Sequence, residues 1–265
     1  MTGYLAALAV GYGAAVGGLY FAQRSLIYYP DQTRPLAPDF GVPEMTAFDL
    51  TTEDGINLLT WYHPPASASA PVIVYFHGNA GHIGDRAGKI RAVLDAGYGV
   101  LLMSYRYNAA AGGSPSEAGL FLDGEAAVQF MAATGYDAER LVMYGESLGA
   151  GVAVAMAVRH DVAALVLEAP YTDMGDLAQH HYWYAPARLL LKDRFNSASR
   201  IGDVNAPVLM FHGGRDRVIP QRYGRALYEL APQPKEFQSL DNGAHNDLYD
   251  HGAAKVVLEF LGRNV

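Results

Sequence analysis

The stretch Leu141–Ala157, LVMYGESLGAGVAVAMA, runs from an apolar segment through a serine flanked by Gly145 and Gly149 into small residues suited to a helix. Two readings fit it. In one, a sharp strand-to-helix turn exposes the Ser147 hydroxyl, and the glycines relieve the crowding that such a turn creates. In the other, a tight turn happens to contain serine. The pattern G-x-S-x-G is short, so the choice between them rests on the rest of the chain.

Outward from this stretch the sequence repeats one rhythm. PVIVYFHG, GVLLMSYR, RLVMYGES, ALVLEAP and PVLMFHGG are short apolar runs bounded by Gly or Pro, the mark of strands buried on both faces of a parallel sheet. Helix-length segments lie between them at Gly84–Asp95, Glu117–Ala133, Ser147–His160 and Gln221–Leu230. A last strand, KEFQSL, leads into a terminal helix expected over Asp247–Leu261, and TAFDLTTEDGINLLTWYHPP reads as two alternating strands turning at Asp54-Gly55. The expectation is an α/β fold whose mostly parallel central sheet is flanked by helices, with ligands binding beyond the carboxyl ends of the strands. The Ala66–Ala70 tract ASASA reads as a surface connection.

At 265 residues the chain suits one large domain. A net charge of −8 without a basic stripe argues against nucleic acid as a partner, and the absence of cysteine excludes disulfides, thiolate metal sites and cysteine nucleophiles. Gly3–Ala22 carries no charged side chain over about the length needed to cross a bilayer, and its Gly13 and Gly17 form a G-x-x-x-G. It reads as a membrane anchor. A cleaved signal peptide is disfavoured by the lack of an early Lys or Arg and by bulky Tyr20; a buried helix of the globular body is the remaining alternative. Arg24 and Arg34 on its C-terminal side tilt the body toward the cytoplasm. QRSLIYYP, residues 23–30, reads as an interfacial collar with Arg24, Tyr28 and Tyr29 at headgroup depth. The domain expectation is an anchor and collar over residues 1–30 and a body over 31–265, with a short cap over about 171–204.

Chemistry belongs in the loops that leave the strands. Ser147 leaves RLVMY, Asp216 leaves PVLMF in HGGRDRVIP, and His245 leaves the last strand in DNGAHND. Serine, then acid, then histidine is the chain order of an α/β-hydrolase triad. With those motifs the chain resembles the α/β-hydrolase superfamily, and within it the membrane-anchored α/β-hydrolase-domain serine hydrolases, which join a hydrophobic anchor and a QRSLIYYP-like collar to FHGNAG, GESLGAG, HGGRDRVIP and GAHND. The resemblance spans essentially the whole chain. It implies an ester or thioester hydrolase without a cofactor, acting on an acyl substrate near a membrane; some relatives remove long acyl chains from proteins. It also implies oxyanion donors at the Leu148 and Asn79 N–H groups. A serine peptidase on the same fold and an inactive membrane-tethered lipid-binding module are the alternatives.

Several residues compete for roles. Asp173 and Asp176 follow another strand end but lack the HGxxDxxxP setting of Asp216. His251 falls within the expected terminal helix, and His77 and His212 each precede Gly at a strand end, where histidine shapes a turn. His180 and His181 are adjacent and do not converge on one metal ion. Glu146 reads as a structural carboxylate bonded to backbone, with electrostatic tuning of the site as the alternative. HHYWYAPARLLLK supplies Tyr182, Trp183 and Leu189–Leu191 as a possible acyl-chain wall. The sequence departs from its relatives where SYRYNAAAGGSPSE puts Tyr107 in place of the first glycine of a Y-R-G-x-G turn.

Overall fold

The computed structural model describes residues 2–67 and 69–265; Ala68 of the ASASA connection lies outside the described residues. The eight strands are β1 (Thr46–Thr51), β2 (Asn57–His63), β3 (Val72–Phe76), β4 (Gly99–Met103), β5 (Leu141–Glu146), β6 (Ala164–Glu168), β7 (Val208–Gly213) and β8 (Lys235–Leu240). They form one sheet in the order β1-β2-β4-β3-β5-β6-β7-β8. β1 and β2 enter antiparallel, and β3 through β8 run parallel. β3 has β4 on one side and β5 on the other. The chain therefore winds outward in both directions from β3, and the loops leaving β3 and β5 diverge to open a crevice at the strands' carboxyl ends.

The apolar runs became strands because both faces are covered. Every residue of β3, β4, β5, β6 and β7 is buried. On one face pack α3 (Glu117–Ala133), α4 (Leu148–Arg159) and α7 (Gln221–Leu230); on the other pack α2 (Ala87–Asp95) and α8 (Ala253–Asn264). β2 departs from the expected alternation: Leu58 through Trp61 are all buried, since this strand lies between β1 and β4. The terminal helix starts later than expected. Asp247 instead accepts the Ala244 N–H, a 3-10 turn spans Leu248–His251, and Gly252 at φ 94° breaks the path before α8 begins.

Two segments lie over the strand ends. Between β6 and β7 the chain forms α5 (Met174–His181) and α6 (Ala187–Leu190), within the region expected as a cap. At the other end of the sequence, α1 (Thr2–Ile27) is long and apolar enough to cross a membrane, with a mean hydropathy of 1.6, and its most apolar window is unburied. The collar departs from expectation at Tyr28. Tyr28 is 2% exposed and packs on Tyr107, their ring centroids 5.3 Å apart. Arg24 pairs with the buried Asp193 carboxylate at 2.8 Å. Tyr28 thus finds its partner within the protein, whereas the Arg24 side chain stays about half exposed and Tyr29 remains exposed.

Candidate active site

The turn between β5 and α4 is the first element of the site. Ser147 sits at φ 51° and ψ −115°, a region an L-residue adopts only where the surroundings over-determine it. Gly149 shows what does so: a Cβ there would lie 2.0 Å from the Phe76 carbonyl oxygen, so only glycine lets α4 begin this close to β3. The Ser147 N–H donates to the Glu168 carbonyl on β6, tying the turn to the neighbouring strand. Leu148 is the first residue of α4, so its N–H belongs to the helix end that has no intrahelical acceptor.

His245 comes from the loop after β8 and Asp216 from the loop after β7. The His245 Nε2 lies 3.0 Å from Ser147 Oγ, and its Nδ1 lies 2.7 Å from Asp216 Oδ2. An ionised carboxylate only accepts, so Nδ1 carries the proton and Nε2 is left free to accept from the serine. The other Asp216 oxygen accepts the Val218 and Ile219 N–H groups, each at 2.8 Å. Burial pushes the Asp216 carboxyl up, but hydrogen bonds from His212 and His245, the nearby imidazole charge and the Ile219 N–H outweigh it and hold the group well below the usual carboxylate range. The acid thus stays ionised, and the arrangement can pass a proton from hydroxyl to imidazole.

The competing residues have other partners, though His181 borders the cavity above Ser147. Asp173 caps α5 through the Gly175 N–H and pairs with Arg194, and Asp176 pairs with Arg188. His251 faces Asp247 at 3.8 Å. His77 donates through Nδ1 to the Gly78 carbonyl at 2.6 Å, and His212 bonds the Ile219 carbonyl at 2.7 Å, so both shape turns. Burial, with the Arg86 charge nearby, lowers the His77 pKa to about 3 and keeps this ring neutral. His181 bonds the Val218 carbonyl and His180 meets Arg222. Among the described residues, no group of three or more side chains is placed to hold a metal ion.

Glu146 differs from expectation. Its carboxylate is held by side chains: Arg86 from two nitrogens at 3.1 Å, Lys89 at 3.3 Å and the Tyr75 hydroxyl at 3.0 Å. Burial alone would raise its pKa, yet Lys89 and Arg86 hold it well below the ordinary value. Lys89 also bonds Glu168 at 2.6 Å, and Glu168 accepts from Tyr144 at 2.7 Å. Two carboxylates and two cations thus pair with each other beside the serine turn, Arg86, Lys89 and Glu146 at the edge of the same cavity. Sequence reading missed this because its members come from the turn before α2, from α2, β3, β5 and β6, with no shared motif.

A cavity of about 1070 Å³ opens above Ser147, at the upper end of the range for small-molecule sites. Ser147, Leu148, Asn79 and His245 line its floor. One wall is apolar, with Leu177, Tyr182, Leu190 and Leu191 from the cap region and Leu19 and Ile27 from α1, while Arg86, Lys89, Glu146, His181 and Arg217 add charged and polar groups elsewhere in the lining. Trp183 and Leu189, expected in that wall, are 78% and 85% exposed and are not among its lining residues. The Asn79 side chain is engaged outside the floor: its amide donates to the Ile27 carbonyl and its oxygen accepts the Tyr29 N–H at 3.2 Å. Tyr107, the departure from the glycine turn, places its hydroxyl 3.4 Å from the Asn79 carbonyl.

No protein-family model matches the chain. An uncharacterized protein of Mycobacterium tuberculosis is 37% identical over 231 residues, covering 86% of this chain and 82% of its own. Protein bem46 of Schizosaccharomyces pombe is 30% identical over 267 residues, covering 94% and 89%. Lysophosphatidylserine lipase ABHD12 of Danio rerio is 32% identical over 246 residues, covering 78% of this chain and 64% of its own. Among solved structures, the Pyrococcus furiosus esterase Pf2001 superposes with a TM-score of 0.71 at 19% identity, covering 89% of this chain and 98% of that one. With this sheet order, this serine turn and these relatives, the chain belongs to the α/β-hydrolase superfamily, alongside the bem46 and ABHD12 α/β-hydrolase-domain proteins.

Proposed function

We propose that this chain is a serine hydrolase that cleaves carboxylic esters or thioesters of acyl substrates near a membrane, through an acyl-enzyme on Ser147. The observation that carries the reading is the His245 imidazole spanning Ser147 and Asp216, at 3.0 and 2.7 Å, on the floor of an apolar cavity. Ser147 Oγ attacks the acyl carbon while His245 Nε2 takes its proton. The carbonyl oxygen gains the electron pair and is met by the Leu148 and Asn79 N–H groups, each worth about a hundredfold or more in rate. Collapse of the intermediate expels the alcohol or thiol, which leaves with the proton from His245. Water then repeats the sequence and releases the acid.

The apolar wall favours an acyl chain over a polar peptide. The zebrafish relative's name, a lysophosphatidylserine lipase, supports a single-chain lipid ester as the substrate class. The α1 helix supplies the membrane attachment, and Arg24 and Arg34 on its C-terminal side favour a cytoplasmic body. The test compares rates on matched ester, thioester and short peptide substrates, with fluorophosphonate labelling of wild type and Ser147→Ala. Ester or thioester cleavage with labelling lost in the variant is expected. Equal labelling of both proteins, or cleavage of the peptide alone, overturns the reading.

A further inference from the structure

The α1 helix changes character along its length. Residues 2–15 are exposed, whereas Val16, Leu19, Tyr20, Gln23, Leu26 and Ile27 border the same cavity as Ser147 and His245. Their spacing of three and four residues puts them on one helical face. A tether serves equally well in any rotation about its axis, but this helix is held in one. The Gln23 side chain clips the backbone after α6, accepting the Lys192 N–H at 2.7 Å and donating to the Leu190 carbonyl at 3.4 Å. Arg24 grips Asp193 through two nitrogens, at 2.8 and 3.2 Å, and the Tyr12 hydroxyl donates to the Tyr184 carbonyl at 2.9 Å. At the far end, Asn79 holds the Ile27 carbonyl and the Tyr29 N–H beside the serine turn.

Resting on the hydrolase reading above, we infer that the last three turns of α1 are the acyl-chain wall of the site and set the length of chain it accepts. The chain lies along the face from Ile27 toward Val16, opposite Leu177, Tyr182 and Leu190, with its carbonyl at Ser147. Val16 stands eleven residues from Ile27, about 16 Å along the helix axis, so position on α1 corresponds to position on the chain. Leu19 meets the middle of a long chain and Val16 its distal end. Each methylene that finds this wall gains about fourfold in binding.

The test uses full-length protein in detergent micelles and activated butyryl, octanoyl, dodecanoyl and palmitoyl esters. Leu19→Trp fills the middle of the path and is expected to cut kcat/KM for dodecanoyl and palmitoyl esters by about tenfold or more. Val16→Trp is expected to do so for the palmitoyl ester alone, so that the palmitoyl-to-butyryl ratio of kcat/KM falls in both variants while the dodecanoyl-to-butyryl ratio falls only in Leu19→Trp. Leu19→Ala and Val16→Ala, which a helix tolerates, should shift the preferred length upward. Length profiles unchanged in all four variants, with Ser147 still labelled by fluorophosphonate, overturn this inference and leave the hydrolase reading standing. Absence of labelling in the wild type overturns the hydrolase reading, and the wall assignment falls with it.

Discussion

The two sides of the cavity are made by different means. On the sheet side, Ser147, Asp216 and His245 stand at strand ends over packing that leaves no slack: a Gly149 Cβ would strike β3, and the paired charges of Arg86, Lys89, Glu146 and Glu168 brace the strand that leads into the serine. On the helix side, α1 and the cap region meet across the apolar space and are joined by a few polar clips at Gln23, Arg24, Tyr12 and Asn79. Rigid packing can hold atoms to a fraction of an ångström, as the proposed proton transfer would require. Apolar surfaces held at their edges tolerate different ligands at graded cost. Changes on the sheet side should therefore abolish function, and changes on the helix side should tune it.

Ser147→Ala tests that contrast at its strongest. It should lower ester turnover by about ten-thousandfold or more while leaving the fold intact, as measured by initial rates and a melting curve. Next comes a pair of identical substitutions in the two regions. Gly149→Ala should cost more than about 4 kcal/mol, since the Phe76 backbone cannot retreat. Gly13→Ala on α1 meets nothing within 4 Å and should be neutral or stabilising by up to about 1 kcal/mol. Chemical denaturation of both variants measures the difference, and equal losses would break the comparison.

Acid should weaken the sheet side first. The folded-state pKa of His77 is about 3 against an ordinary 6.5, so the unfolded chain binds the proton more readily between those values. Stability is complete above about pH 6.5 and falls as the pH drops toward 3; between pH 7 and pH 4 this group alone should remove about 3 kcal/mol. Glu146 and Asp216, also held low, act with the same sign but below about pH 4. His77→Gln should flatten the pH 7 to 4 limb in denaturant titrations. A limb of unchanged slope would assign the acid sensitivity to other groups.

Smaller effects belong to the helix side. Arg24→Ala removes a guanidinium that is about half exposed, so its loss should cost only about 1 kcal/mol after solvent screening, read as a lowered melting temperature. Trp183→Ser combined with Leu189→Ser should reduce binding to lipid vesicles by less than about tenfold with turnover of a soluble ester unchanged. These side chains face outward from the cap, while α1 carries most of the apolar surface.

The same contrast governs what could be read from the sequence. The juxtaposition of Ser147, Asp216 and His245 is legible because each follows a strand end in a local motif, and the apolar runs around them announce buried parallel strands without reference to anything distant. The helix side depends on pairings between residues far apart in the chain. Hydropathy identifies α1 as a possible span but carries no sign that Gln23 and Arg24 clip residues 190–193. The departure at Tyr107 is visible in the sequence, yet its meaning is Tyr28, on which it packs. Aromatic composition placed Trp183 in the cavity wall, whereas the turn after α5 points it outward. Glu146 sits beside the serine in sequence, but its partners Arg86 and Lys89 lie on another element.

The central claim is that Ser147 becomes covalently acylated with His245 as its proton acceptor. Rapid quenching of the full-length protein with an octanoyl ester, followed by mass spectrometry of the digested chain, reads this directly. An octanoyl adduct on the peptide bearing Ser147, appearing before product and absent from Ser147→Ala, is the predicted result. Ester turnover that persists in Ser147→Ala, or an adduct carried by another residue, would contradict it.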